Sequence, residues 1–131
     1  MGQAETGQET GAEAPLRLRV KLTAPAEGLA LVALAGELDL HTASTFKEAL
    51  LQATDIGPRR VVVDLSEVTF IDSTALGVLI GGAARLQAAD GMLDIVCPSD
   101  KIRRIFKISG LSHVFAIYDS SEEALSRARP A

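Results

Sequence analysis

The sequence predicts a single α/β domain with a mostly parallel central sheet, an antiparallel hairpin strand at its N-terminal end, and helices packed around the sheet. The run Val61–Leu65 is β-branched and apolar on both faces, which is typical of a strand covered from both sides. After an opening hairpin, strand-like and helix-like segments alternate, and right-handed crossovers then favour a parallel sheet. The chain has 131 residues, enough for one domain with its own core.

The first three elements are a hairpin and a helix. Leu16–Thr23 alternates apolar and basic residues, which predicts a half-exposed edge strand. A turn at Pro25–Gly28 leads into Leu29–Ala35, which is apolar throughout and predicts a central strand antiparallel to the first. A helix is expected from Thr42 or Ser44, although the capping-box spacing of Thr45 and Glu48 also allows a later start, and Gly57-Pro58 ends it.

The second half of the chain centres on Ser73. A short polar turn is expected after Leu65, and the spacing of Leu76, Leu79 and Ala83 then predicts a helix that runs to about Asp90. The remaining elements are a strand at Leu93–Cys97, a helix after Ser99 that ends near Gly110, a strand at Val114–Tyr118, and a short helix introduced by the capping box Ser120–Glu123.

Charge and composition exclude several classes of function. The net charge is −4, and Glu5, Glu9 and Glu13 contribute −3 of it from a segment without Lys or Arg. We therefore expect a disordered acidic tail at residues 1–15 and a domain at residues 16–129. The domain has 13 basic and 14 acidic residues, which argues against a nucleic acid or a membrane surface as partner.

Localisation is predicted from what the sequence lacks. The single cysteine, Cys97, cannot form an internal disulfide, which fits a reducing cytoplasm. The N-terminal segment lacks the basic start and apolar stretch of a signal peptide, and no apolar run is long enough to span a bilayer.

Ser73 is the main candidate functional residue. It lies where a loop becomes a helix, and free backbone N–H groups at a helix start favour an anion. Serine is also a preferred N-cap residue, so a purely structural cap is the alternative. Asp39 follows the second strand and Asp72 the third, so neighbouring strands would bring both aspartates to one edge of the sheet, with His41 beside them.

Catalysis by the chain itself is not expected. Ser73 lacks the G-x-S-x-G motif, and a triad with His41 and Asp39 has no supporting spacing. The two histidines and one cysteine are far apart, which does not suggest a metal site, and no phosphate-binding glycine motif is present. No cofactor is predicted, although a small phosphate- or nucleotide-binding protein stays as an alternative.

Three segments resemble a known family. They are GELDLHTASTF at 36–46, VVVDLSEVTFIDSTALGVLI at 61–80 and LDIVCPSDKIRRIFKISGLSHVF at 93–115, and together they resemble the STAS-domain anti-sigma factor antagonists of bacteria. Asp72, Ser73, Leu76 and Gly77 match the most specific motif, whereas Ala75 stands where the family usually has glycine. The resemblance covers about residues 16–128 and implies a STAS-like fold.

The resemblance also implies a partner-switching mechanism without catalysis by this chain. The unphosphorylated antagonist would bind an anti-sigma factor with serine kinase activity and free a sigma factor for stress response or sporulation. Phosphorylation of Ser73 would weaken the complex, and a PP2C-type phosphatase would reverse it. The partner-binding residues implied are Asp39, His41, Thr42, Asp72, Ser73, Thr74, Ala75 and Gly77. A constitutive STAS scaffold, in which Ser73 is only a cap, is the alternative within binding modules.

Overall fold

The protein folds around one five-stranded sheet. The computed structural model describes residues 17–126, and the predicted tail, Leu16 and residues 127–129 lie outside this range. The strand order is β1-β2-β3-β4-β5, with β1 and β2 antiparallel and the other pairs parallel. The elements are β1 (Leu18–Ala26), β2 (Leu29–Leu38), α1 (Ala43–Asp55), β3 (Arg60–Ile71), α2 (Ser73–Ala88), β4 (Met92–Val96), α3 (Asp100–Ile108), a 3-10 helix (Leu111–His113), β5 (Ile117–Tyr118) and α4 (Ser121–Ser126).

The predicted fold class is confirmed, and β3 lies at its centre. Val61, Val62 and Val63 have no exposed surface. Val61 and Val63 belong to the main core, which also contains the buried faces of α1, α2 and α3, whereas Val62 packs with Tyr118 and the Ala124 methyl of α4 in a second cluster. The sheet is therefore covered on both faces at β3, as the apolar run predicts.

The expected turn after Leu65 was wrong, because β3 continues to Ile71. The β2–β3 register shifts twice, and each shift places one extra residue in β3. Near the first shift the Asp64 carboxylate accepts hydrogen bonds from the Ser66 backbone N–H (2.9 Å) and hydroxyl (2.5 Å). The Asp64 side chain thus satisfies the Ser66 hydrogen-bond donors beside the bulge, and the strand continues through residues whose polar sequence suggests a turn.

The segment before β5 also differs from the prediction. Only Ile117 and Tyr118 form the strand, because Val114 is the C-cap of a 3-10 helix at Leu111–His113 and residues 114–116 are not part of a strand. Gly110 introduces that helix with a φ of 81°. The buried Phe115 ring packs edge to face on Phe106, with the two ring centroids 6.3 Å apart. Burial of this aromatic pair therefore overrides the local strand propensity.

Gly36 places the start of β1 at the carboxyl end of β2. Its φ is +120°, and a Cβ atom there would overlap the carbonyl oxygen of Arg17. That carbonyl accepts a hydrogen bond from the Glu37 N–H at 2.8 Å. Because only glycine fits, the close pairing brings Arg17 to the loop that carries Asp39.

Two glycines of α2 have different surroundings, which gives a matched test. A Cβ atom on Gly82 would lie 3.0 Å from Leu50 Cδ1 of α1, whereas one on Gly77 would have no neighbour within 4 Å. We predict that Gly77→Ala raises the free energy of unfolding by about 0.5–1 kcal/mol through helix propensity. Gly82→Ala should lose most of that gain because Leu50 must move. Urea denaturation checks this, and equal stabilisation by both variants would contradict close α1–α2 packing at Gly82.

Candidate functional site

Two loops meet at the carboxyl ends of β2 and β3, and we call residues 39–42 and 72–73 together the rim. The Asp72 N–H donates to the Leu38 carbonyl at 3.0 Å, and the Asp72 carboxylate accepts from the Leu40 N–H at 3.0 Å. The neighbouring-strand prediction is confirmed, because β2 and β3 pair in parallel up to Leu38 and Ile71. The structure thus brings the Asp39 loop and Ser73 to one edge of the sheet.

Asp72, and not Ser73, is the N-cap of α2. Its Oδ1 accepts a hydrogen bond from the Ala75 N–H at 3.1 Å, and its extended backbone leads into the helix. Ser73 is the first helical residue, and its side chain is exposed. The alternative of Ser73 as the N-cap is therefore wrong, because the preceding carboxylate already performs the capping.

The first turn of α2 retains hydrogen-bonding capacity for an anion. Asp72 uses the Ala75 N–H through its side chain and the Leu76 N–H through its carbonyl. Within residues 17–126, the N–H groups of Ser73 and Thr74 have no protein acceptor. An anionic group on the Ser73 side chain would lie beside these two donors and the positive end of the helix.

The side chains of Asp39 and Thr42 fix the β2–α1 loop through hydrogen bonds. Asp39 Oδ1 accepts from the N–H groups of His41 (2.9 Å) and Thr42 (3.1 Å), and its Oδ2 accepts from Arg17 at 3.1 Å. The Thr42 hydroxyl accepts from the Asp39 N–H at 2.9 Å and donates to the Glu37 carbonyl at 2.7 Å. Both side chains are buried, so their main structural effect is to fix the loop that presents His41.

The remaining candidate residues divide by exposure. His41, Thr74 and Gly77 are exposed, and each can contact another molecule. Ala75 is 0% exposed because its methyl group packs in the main core, so in this conformation it supports α2 from inside and offers no contact surface.

Two exposed apolar side chains, one within the rim and one beside it, were missed in the sequence analysis. Leu40 is 69% exposed and Phe70 is 45% exposed, although both belong to apolar patterns that suggest burial. Their position next to acidic loop residues at strand ends was the available signal. Large apolar groups beside polar ones are typical of surfaces that bind protein partners.

The arrangement does not form a catalytic triad. The Asp39 carboxylate binds the backbone N–H of His41, and no hydrogen bond joins the His41 imidazole to Ser73 in the described range. In residues 17–126, no group of three or more His, Cys, Asp or Glu side chains could hold a metal ion. No helix in that same range is long and apolar enough to cross a membrane.

The carboxyl of Asp39 gives a pH-dependent readout of the rim. Burial opposes its ionisation, but the N–H groups of His41 and Thr42 and the Arg17 guanidinium outweigh this and lower the pKa below its ordinary value of 3.8. Stabilisation by this ionised carboxylate is therefore present above pH 3.8 and is lost as the pH falls through the lower, folded-state pKa.

We predict that a carbon-detected NMR titration finds the Asp39 pKa below 3.8 and that Arg17→Ala raises it. Arg19→Ala is the matched control, because Arg19 is a neighbouring cation on β1 without a hydrogen bond to Asp39 in the described structure. A pKa at or above the ordinary value would contradict the hydrogen-bonded loop.

Comparisons with known proteins agree with this geometry. The STAS domain family model matches residues 22–124. The anti-sigma-B factor antagonist of Staphylococcus aureus (strain NCTC 8325 / PS 47) is 35% identical over 91 residues, which are 70% of this chain and 84% of that protein.

Solved structures show the same fold. An anti-sigma factor antagonist from Mycobacterium paratuberculosis superimposes with a TM-score of 0.77 at 27% identity, covering 86% of this chain and 95% of that one. The phosphorylated form of the Bacillus cell fate determinant SpoIIAA superimposes with a TM-score of 0.67 at 25% identity, covering 85% of this chain and 100% of that one. The chain belongs to the STAS domain family, and it is similar to the anti-sigma factor antagonists named above.

Proposed function

We propose that this protein is an anti-sigma factor antagonist whose binding to an anti-sigma factor is switched by phosphorylation of Ser73. The observation that carries the proposal is the exposed Ser73 side chain at the rim, beside two N–H groups that have no acceptor in the described structure. The similarity to anti-sigma factor antagonists, one of which was solved in phosphorylated and unphosphorylated forms, supports both the partner and the modification.

In the unphosphorylated state, the rim and the outer face of α2 form the docking surface. The exposed face of α2 carries Ser73, Gly77, Ile80 and Ala84, which are spaced to lie on one side of the helix and carry no charge. Leu40 and Phe70 add apolar area beside this face. An anti-sigma factor that covers this surface would release its sigma factor.

The switch is a phosphoryl transfer carried out by the partner kinase. The γ-phosphoryl group of ATP passes to the Ser73 oxygen, ADP leaves, and a kinase base accepts the hydroxyl proton. A phosphatase of the PP2C type reverses this step by hydrolysis, which releases inorganic phosphate. This chain supplies the acceptor and the docking surface and performs neither reaction.

The charges at the rim explain why one phosphate on Ser73 is enough to weaken binding of the partner. A phosphoserine adds about −1.5 to −2 charges at neutral pH. Asp39 and Asp72 already place two carboxylates at the rim. A docked partner would bury the added charge beside these carboxylates. The rim contains no Lys or Arg, and Arg17 next to it is engaged by Glu37 and Asp39. An unpaired buried charge costs several kcal/mol, enough to reverse a modest complex.

The test compares Ser73→Ala, Ser73→Glu and Ser121→Glu as baits in lysate of the native host. Ser121 is the matched control because it is also the first residue of a helix, α4, which packs on the opposite face of the sheet. We predict that a small ATPase-type kinase binds the Ala and Ser121 baits and is lost from the Ser73→Glu bait. With the purified kinase, calorimetry should show binding about 100-fold weaker for Ser73→Glu, equivalent to about 2.7 kcal/mol.

Two results would contradict the switch. Equal binding of one partner by all three baits would make Ser73 a structural residue of a constitutive scaffold. Stoichiometric binding and turnover of a nucleotide by the purified chain would favour a small nucleotide-handling protein.

A further inference from the structure

A groove between α1 and α2 borders the docking surface of the proposed switch and shares Gly77 with it. It is lined by Lys47, Thr74, Gly77, Val78, Gly81 and Arg85 and has a volume of about 240 Å³. Gly77 and Gly81 leave its floor without side chains, since added Cβ atoms would meet nothing closer than 3.8 Å. Among its lining residues are two cations and no carboxylate. We call this feature the α1/α2 groove.

The cations of the groove are poorly compensated. The Nε and one terminal nitrogen of Arg85 are buried without a hydrogen-bond partner within residues 17–126. Lys47 is exposed, and neither cation forms an ion pair with a described residue. Arg85 lines the groove and has no described carboxylate partner, so an incoming carboxylate that pairs with its guanidinium there would be stabilised.

A second groove, which lies on the sheet and also contains two cations, is less suited to bind an anion than the α1/α2 groove. It lies on β1–β3 and contains Arg19 and Lys21, but Asp64 and Glu67 line it as well. These carboxylates offset the two cations and repel a further anion. Charge complementarity therefore favours the α1/α2 groove as the site for an acidic segment.

The chain carries an acidic segment directly before Arg17 in the sequence. Residues 1–16 contain Glu5, Glu9 and Glu13 and no Lys, Arg or His. The segment joins Arg17, whose guanidinium lies 3.1 Å from the Asp39 carboxylate at the rim. Thr42 of the same rim precedes α1, and Lys47 follows it by five residues, roughly 8 Å along the helix axis.

The length of the segment permits contact with both cations. Glu13 lies four positions before Arg17, and an extended chain spans at most about 3.6 Å per residue, so Glu13 reaches roughly 14 Å. Glu5 lies twelve residues before Arg17 and reaches roughly 43 Å. A short tether also keeps the glutamates at a millimolar effective concentration around the groove.

We propose that residues 5–13 of this chain occupy the α1/α2 groove through their glutamates, which pair with Lys47 and Arg85. The association is electrostatic and needs no ordered structure in the segment. It covers the groove face of α2, beside Thr74 and Gly77, and so competes with any partner that docks there. The association depends on charge and tether geometry and does not require phosphorylation of Ser73.

Paramagnetic relaxation enhancement in the full chain tests the proposal. A nitroxide is attached through Gly7→Cys, and amide relaxation is measured across the 15N-labelled domain. Cys97 stays in place because it is fully buried, and burial raises the pKa of its thiol, so it should not react. Mass spectrometry of the labelled parent chain checks this.

We expect the enhancement to centre on the amides of Gly77, Gly81 and Lys47. It should be lost when Glu5, Glu9 and Glu13 are changed to glutamine, and also in the Lys47→Gln/Arg85→Gln double variant. Arg19→Gln/Lys21→Gln is the matched control and should retain the enhancement. Salt at 1 M, where the Debye length is about 3 Å, should abolish it.

Three outcomes would overturn the proposal. An enhancement unchanged by the glutamine substitutions would show that only the tether brings the label near. An enhancement centred on Ala33, Ala35 and Ser66 would place the segment on the sheet groove. In a control mixture, one set of chains carries the nitroxide without 15N and the other carries 15N without the nitroxide. An enhancement that persists in this mixture would show that the segment binds a second copy.

Discussion

The Asp72 carboxylate is the interaction on which the site depends. One oxygen caps α2 through the Ala75 N–H, and the other accepts from the Leu40 N–H of the neighbouring loop. The same side chain therefore fixes where α2 begins and holds the β2–α1 loop against it. Because Asp72 performs the capping, the Ser73 hydroxyl is free to serve another purpose.

The β2–α1 loop next to Ser73 is also fixed by several hydrogen bonds and an ion pair. Gly36 admits the close approach of Arg17, and Arg17 then pairs with Asp39, whose other oxygen accepts from two backbone N–H groups. Every buried polar atom of Asp39 and Thr42 that faces this loop has a described partner. A preformed rim of this kind loses little conformational entropy on docking, which favours binding.

The sheet core and the approximate element order followed from local pattern. The doubly apolar run at Val61–Leu65 predicted the central strand, and the alternation of strands and helices predicted the parallel sheet. The β2–β3 neighbourhood then placed Asp39 and Asp72 on one edge. These features depend on periodicity, which a sequence displays directly.

The predictions that were wrong concern features that depend on contacts between residues distant in sequence, or on competition between adjacent residues for the same hydrogen bond. The polar run after Leu65 stays in β3 because two bulges and the Asp64 side chain accommodate it. Ser73 and Asp72 are both good caps, and only the geometry shows which of them accepts the Ala75 N–H. The burial of Ala75, the exposure of Leu40 and Phe70, and the groove cations likewise arise from packing between elements that no local pattern contains.

We propose that a phosphate on Ser73 is held by the free N–H groups of α2 without refolding of the domain. A 15N–1H NMR comparison of the unmodified chain with one that carries phosphoserine introduced at position 73 by genetic encoding tests this directly. We expect downfield shifts of the Ser73 and Thr74 amides, smaller changes along the rim, and an unchanged sheet. Shifts spread through β3 and β4, or none at Ser73 and Thr74, would contradict it.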